Sequence, residues 1–227
     1  MKVHTKNYKQ TPEWAFVLPK DTTMEKLDIY DEYMNKIGSE NRDVVHTKGM
    51  WHKTVHCWMY DDDGNVYFQI RANSGKLYTT ASGHVLAGET VRDAFHREIA
   101  EEIGVDVDVL NAQPIEIVFW RQDKIKNGAP WHDRAFAHVY INKLPRNFDN
   151  FNFQLSEVSG VVKINAQNCL DLLMGKIKTL DAIKITQSDH ENIQLGCEDF
   201  LVASDEIGII KYGAVLQSII NATNDQN

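Results

Sequence analysis

The chain has 227 residues, of which 43% are hydrophobic and 25% charged, proportions typical of one well-packed globular domain with room for an appendage. A formal net charge of −8 without a basic stripe argues against a nucleic-acid polymer as partner. No apolar run approaches the length that spans a bilayer, and no signal peptide is apparent, so we expect a cytoplasmic protein without a membrane partner. Three scattered cysteines predict reduced thiols rather than disulfides.

The first part of the chain predicts short strands after an irregular start. Residues 1–23 contain two prolines and are expected to be irregular, and a turn is expected at Gly38. The sequence DDDGN (61–65) supplies an Asp-Gly turn and therefore predicts a hairpin. The expected strands are 27–30, 52–60, 66–72 and 76–81.

The rest of the chain predicts helices between further strands. Thr90 and Gly104 are placed as the N-cap and the C-terminal stop of one helix, and Asn165 as the cap of a second that stops at Gly175. Ser204 is expected to cap a last helix that reaches about Asn221, and residues 193–220 are expected to form mainly helix. The Gly/Pro-containing segment 123–133 predicts a loop, and the expected strands are 105–110, 115–121, 135–141 and 158–164. Helices and strands mix without strict alternation, which indicates an α/β or α+β domain with a mixed sheet.

The helix predicted after Thr90 carries an unusual concentration of acid. At 100° per residue, Glu98, Glu101 and Glu102 fall within an arc of roughly 100°, and like charges so placed repel one another. Such carboxylates offer oxygen ligands to a hard cation such as Mg²⁺ or Mn²⁺, and Arg97 lies beside Glu101. A solvated surface helix is the alternative, and it is the commoner meaning of an isolated EIAEE.

The spacing of residues over a longer segment distinguishes a metal-binding helix from a solvated surface helix. The segment GHVLAGETVRDAFHREIAEEIGV (83–105) fits the pattern G-x5-E-x7-R-E-U-x-E-E-x-G-U, where U is aliphatic, at every specified position. Seven fixed residue types and two aliphatic positions make this a specific match, and the chain therefore resembles the Nudix hydrolase superfamily.

The resemblance implies a fold, an activity and a set of functional residues. The fold would be a Nudix α/β/α sandwich over residues 50–185, with an N-terminal extension (1–49) packed on the core and a C-terminal extension (186–227) that ends in a helix. The activity would be metal-dependent water attack on a diphosphate linkage, with a small-molecule substrate and Mg²⁺ or Mn²⁺ as cofactor. The implied metal ligands are Glu98, Glu101, Glu102 and a backbone carbonyl near Ser82 or Gly83, while Arg97 and Glu89 would orient the motif.

A second resemblance lies upstream of the motif. Residues 42–59, followed by SGHVLAGE, are similar to the isopentenyl-diphosphate isomerases of this superfamily, which bind a metal through several histidines and use a Cys and a Glu as acid and base. His46, His52 and His84 stand near the positions of those histidines. The Cys position carries Ser82 and the Glu position carries Ala135, and neither side chain can perform the proton shuttle. The resemblance therefore favours a hydrolase and leaves an isomerase, or a silent nucleotide sensor, as alternatives.

Further residues are assigned to substrate or second-metal binding on weaker patterns. Arg71 is a candidate for binding substrate, Glu157 for a remote metal ligand or base, and Trp131 for stacking a base. Each has an ordinary alternative, because a surface charge or a packed aromatic ring is the commoner role. The other candidates for stacking are Trp51, Trp58, Trp120 and Tyr140. The C-terminal tail is expected to pack on the core or to form a homodimer contact.

Overall fold

The computed structural model describes residues 25–126, 128–145, 148–202 and 206–224. The strands are β1 (Lys26–Tyr30), β2 (Lys36–Asn41), β3 (His52–Tyr60), β4 (Asn65–Arg71), β5 (Leu77–Tyr78), β6 (Ala81–His84), β7 (Gln113–Lys126), β8 (Ala129–Lys143), β9 (Val158–Asn165), β10 (Thr179–Ile185) and β11 (His190–Gly196). The helices are α1 (Arg42–Lys48), α2 (Val91–Ile103), α3 (Ala166–Leu173) and α4 (Glu206–Asn224).

One large mixed sheet organises the described residues. Its hydrogen-bonded order is β11-β10-β9-β4-β3-β8-β7, with β5 paired to β4 and β6 paired to β3. The β3–β8 pair is parallel, and the other pairs of this sheet are antiparallel. Strand β3 thus holds β8 on one side and β4 and then β6 on the other, so residues from distant parts of the chain meet along it.

Helices cover the sheet on both faces, which gives an α/β/α sandwich. On one face, α2 buries Phe95, Ile99 and Ile103 against a cluster that includes Val55 and Cys57 of β3. On the opposite face, a second cluster joins Trp58 and Phe68 to side chains of α3 and α4. The alternation of Cys57 and Trp58 between the two clusters follows from the two-residue period of a strand.

The predicted helix ends are confirmed. The Thr90 side chain accepts a hydrogen bond from the Asp93 N–H (3.2 Å), and Gly104 closes α2 with a left-handed φ of 69°. The Asn165 side chain accepts one from the Asn168 N–H (3.1 Å) and so caps α3. The hairpin at residues 61–65 and the strands 52–60 and 158–164 are also present.

Several expected elements are wrong. Gly38 lies inside β2 rather than at a turn, and the chain reverses at residues 31–35, where Asp31 accepts the N–H groups of Tyr33 and Asn35. Residues 105–110 form no strand, because only Val105 makes an isolated bridge and a 3-10 turn follows at Val109–Asn111. Segment 123–133 is not a loop, since β7 and β8 continue through it as the two arms of a long hairpin. Within 193–220, the first residues belong to β11, and α4 begins only at Glu206.

Strand β1 packs against the loop of the motif. Strands β1 and β2 form a separate hairpin. The sequence predicted the first of these strands but not the second, and it did not predict α1. Lys26 O accepts from the Ala87 N–H (2.8 Å), Asp28 accepts from the Gly88 N–H (3.1 Å), and Leu27 bridges to Leu86.

The expectations for residues 1–23 and Ser204 lie outside the described residues. The division at 49 and 185 stays a prediction, and β11 continues the sheet beyond 185.

Candidate active site

Gly83 brings β6 into contact with the acidic helix. A Cβ built on Gly83 would lie 2.1 Å from both Cδ and Oε1 of Glu98, a separation that real atoms do not adopt. The first glycine of the motif is therefore required for close approach rather than for an unusual backbone conformation. Glu98 itself is buried, although it lines the cleft described below.

Glu102, like Glu98, is a buried carboxyl group of the motif. Its Oε2 accepts hydrogen bonds from the Ser82 N–H (3.0 Å) and from the Gln69 amide (3.2 Å). Burial, followed by the nearby charges of Glu98 and Glu157, raises its pKa well above the usual value. Two buried carboxyl groups of like charge so close together are a natural place for a cation, because a positive charge would remove their repulsion.

Arg97 links the remaining parts of the motif. Its Nε and Nη2 bind the two oxygens of Glu89 at 2.8 and 2.9 Å, and Nη2 also donates to the His84 carbonyl at 2.8 Å. Its Nη1 contacts Glu98 and, at 3.4 Å, Glu101. The guanidinium therefore fixes the motif loop to the helix while it neutralises carboxylates, and those charges raise its own pKa further.

The donor set of the motif fits a hard divalent ion. The side chains of Glu98, Glu101 and Glu102 all present oxygen, and Ser82 and Gly83 lie beside them on β6, where backbone carbonyl groups are available. Oxygen-only sites favour Mg²⁺ or Mn²⁺. In the part of the chain that the structure describes, the glutamate oxygens do not converge as closely as the histidine nitrogens below, and an ion here would share Glu98 and Glu101 with Arg97.

Three histidines converge beside the motif. His46 of α1, His52 of β3 and His84 of β6 each place a ring nitrogen within 4.8 Å of the others. The Nε2 atoms of His46 and His84 are 3.0 Å apart. Sequence similarity placed these residues near a site, and the structure brings all three together.

The orientation of these rings suits metal binding. His46 Nδ1 faces the His132 carbonyl at 3.3 Å, and His52 Nδ1 faces the Met50 carbonyl at 3.1 Å. A carbonyl only accepts, so each Nδ1 carries the proton and each Nε2 keeps its lone pair. Burial, and then the neighbouring His52, lowers the pKa of His46 to about 3, which keeps it neutral.

Asp133 completes this cluster and was missed from the sequence. Its Oδ1 lies 3.5 Å from His52 Nε2, and both atoms are buried with no hydrogen-bond partner among the described residues. Unsatisfied buried polar atoms of this kind call for a ligand. The sequence indicated this role only in part. The acidic side chain is visible in it, but Asp133 lies in segment 123–133, which was predicted to be a loop.

Glu98 and Glu102 of the motif line one cleft of about 1000 Å³ together with His46, His84 and Asp133 of the histidine cluster. Arg71, Glu157 and Trp131 also line it, so the weaker predictions fall at the site. The Arg71 guanidinium lies 5.4 Å from the Tyr78 ring centroid, and Trp131 stacks on His46 at 3.9 Å. Three further cations stand along the cleft: Arg42, Lys124 and Lys126. An acidic centre flanked by cations is suited to a metal-bound polyanion.

Comparison with known proteins agrees with this arrangement. The NUDIX domain matches residues 50–166. An uncharacterized Nudix hydrolase from Clostridium acetobutylicum is 34% identical over 164 residues, which are 67% of this chain and 76% of that protein. Isopentenyl-diphosphate Delta-isomerase 2 of Photorhabdus laumondii is 37% identical over 87 residues, 36% of this chain and 49% of that protein.

One solved structure is similar to about two thirds of this chain. DR0079 from Deinococcus radiodurans is 21% identical and has a TM-score of 0.49, over 66% of this chain and 89% of that chain. No described helix is long and apolar enough to cross a membrane. The chain belongs to the NUDIX domain family, and it is a diphosphate hydrolase of the Nudix type.

Proposed function

We propose that this chain uses a divalent ion to hydrolyse the diphosphate linkage of a small organic diphosphate, such as a nucleoside diphosphate linked to a further group. The observation that carries the proposal is that Glu98 and Glu102 lie against β6 in the wall of a large cleft, with Glu101 linked to Glu98 through Arg97. When bound, Mg²⁺ or Mn²⁺ would neutralise phosphate charge and make an attacking water more acidic.

The chain's own residues supply position and charge. Glu98 and Glu102 are held in place by Gly83, the Ser82 N–H and Gln69, so their oxygens are fixed before substrate arrives. Arg97 and Glu89 brace the loop that leads into α2. Phosphoryl transfer depends mainly on positioning and charge stabilisation, so no nucleophilic Ser or Cys is required.

We also propose that the histidine cluster binds a second divalent ion, of the transition-metal type. Imidazole nitrogens favour such ions, and Asp133 adds one oxygen. We expect one Mn²⁺ equivalent to be lost in His52→Gln but retained in His96→Gln, whose exposed ring pairs with Asp106. Equal Mn²⁺ binding by the two variants, measured by calorimetry, would contradict this assignment.

The histidine cluster is also the observation that favours the alternative, an isopentenyl-diphosphate isomerase. Two positions oppose that activity. Ser82 and Ala135 both line the cleft, but a hydroxyl and a methyl group provide neither the acid nor the base for moving a carbon-bound proton. Conversion of isopentenyl diphosphate to its isomer would be needed to revive this alternative.

Metal-dependent release of phosphate tests the proposed function. Purified protein with Mg²⁺ or Mn²⁺ is incubated with nucleoside di- and triphosphates, diphosphate conjugates and isopentenyl diphosphate. We expect turnover that chelation removes and that Glu102→Gln lowers by about 100-fold or more. Glu191→Gln, on the exposed end of β11, is the matched control. Folded protein that binds metal but releases no phosphate from any compound would instead favour a sensor.

A further inference from the structure

Strand β7 is an unpaired edge of the large sheet. It ends the strand order, and among the described strands it pairs only with β8. It is 14 residues long, whereas β11, at the opposite edge, has 7. The outer N–H and C=O groups of an edge strand can each bind a partner, so a long exposed edge is a template for another strand.

A proline in β8 fixes which backbone groups of β7 face outward. Ile125 pairs with Pro130, which has no N–H, so this is one of the non-hydrogen-bonded pairs of the antiparallel ladder. Every second residue of β7 shares that orientation. The residues whose N–H and C=O groups point away from β8 are therefore Ile117, Phe119, Arg121, Asp123 and Ile125.

Two apolar side chains stand exposed along this edge. Ile117 is 41% exposed and Phe119 is 54% exposed. Phe119 meets Trp51 and Phe136 edge-to-face at centroid distances of 6.1 and 5.2 Å, so its ring extends an aromatic cluster to the surface. Ile117 and Phe119 are two residues apart and share one face of the strand, where the side chains of a further strand would cover them.

The charges along β7 fit a second copy of the same strand. Glu116 is exposed near the start of β7 and Lys124 near its end, so an antiparallel pair of identical strands can bring opposite charges together. Outward-facing residues must pair with outward-facing residues, which allows a two-fold axis at Trp120. This axis places Glu116 opposite the partner's Lys124, and Phe119 opposite the partner's Arg121. An axis one residue later would instead oppose the two copies of Arg121.

The features that protect edge strands do not block this register. Lysine, proline and bulges commonly keep such edges apart. Pro114 and the bulge beside it lie at the first end of β7, outside the centre of the pair. Lys124 would repel another lysine, but in this register it meets Glu116. The charges therefore exclude shifted registers rather than pairing itself.

We propose that two copies of this chain form a dimer by pairing β7 with β7 in antiparallel orientation about a two-fold axis at Trp120, which joins their large sheets into one. The interface borders the active site, because Trp120 and Lys124 also line the cleft. Glu116 of each copy then stands at the cleft of the other and neutralises one of its cations. The dimer is a property of this edge and does not depend on the proposed function.

Charge reversal tests the dimer and its register. The molar mass of the full chain is measured by sedimentation equilibrium over a range of protein concentrations, and we expect a dimer. Glu116→Lys opposes lysine to lysine, and Lys124→Glu opposes glutamate to glutamate, so each should raise the dissociation constant about 10-fold or more. The double variant only exchanges the charges and should restore the dimer. Glu191→Lys, on the opposite edge strand, is the matched control and should leave the dissociation constant unchanged.

Disulfide cross-linking tests the position of the axis independently. In the proposed register Trp120 faces its own copy in a non-hydrogen-bonded pair, which brings opposed Cβ atoms to about 4.5–5.5 Å. Trp120→Cys should therefore form a covalent dimer on mild oxidation, whereas Ile125→Cys, near the far end of β7, should not. A wild-type monomer at every concentration would overturn the proposal. A dimer that Glu116→Lys leaves intact, or that the double variant fails to restore, would overturn it as well.

Discussion

Replacing Gly83 with alanine tests whether the position of Glu98 controls the rate. The new Cβ would meet Glu98 Cδ at 2.1 Å, and ordinary contact begins at 3.4 Å, so the carboxyl group must move by about 1.3 Å, the difference between the two. A displacement of roughly 1 Å in a catalytic group can cost about 100-fold in rate. We therefore expect Gly83→Ala to lower kcat by about 100-fold while the protein remains folded.

The assay is metal-dependent release of phosphate from the best substrate of the panel, measured across a range of metal concentrations. Gly38→Ala is the control, because this glycine also lies in a strand and its added Cβ would only touch Ile29 at 3.7 Å. Thermal unfolding followed by circular dichroism verifies the fold of both variants. Activity of Gly83→Ala within threefold of wild type, at unchanged metal affinity, would refute the reasoning that Glu98 must lie where the structure has it.

Three further predictions concern the groups around this site. In Arg97→Lys, one ammonium replaces a fork that binds both Glu89 oxygens, so we expect kcat to fall about 10-fold or more at similar far-ultraviolet circular dichroism. Asp28→Ala removes the acceptor of the Gly88 N–H, and denaturant titration should show a loss of about 1–2 kcal/mol in the free energy of unfolding. Burial lowers the pKa of His138 to about 4, so the unfolded chain binds more protons at pH values between about 4 and 6.5, and wild-type stability should fall as pH falls through that window. His138→Phe should flatten that part of the profile, and an unchanged profile would contradict the assignment.

The local parts of the fold could be predicted because their signals are local. Thr90, Gly104 and Asn165 each act on the adjacent turn of helix, so sequence was sufficient to place them. The helical spacing of the motif predicted that Glu98 and Glu102 share one side of α2, and in the structure both are buried. These features depend on residues that are close together in the chain.

The missed parts depend on pairing between distant residues. Segment 123–133 contains Gly and Pro and therefore looks like a loop, yet each arm of the hairpin finds its hydrogen bonds in the other arm. The same error hid Asp133, whose closeness to His52 arises from the parallel β3–β8 pair.

The position of α4 has a consequence for how this protein can change. The glutamates lie on α2, whereas Lys211 and Tyr212, which line a small pocket with His56 and Trp120, come from a helix more than one hundred residues later in the chain. Substitutions on that side of α4 can therefore alter the pocket without touching the glutamates of the motif. The acidic helix and the C-terminal helix are thus open to separate selection, because they pack on opposite faces of the sheet.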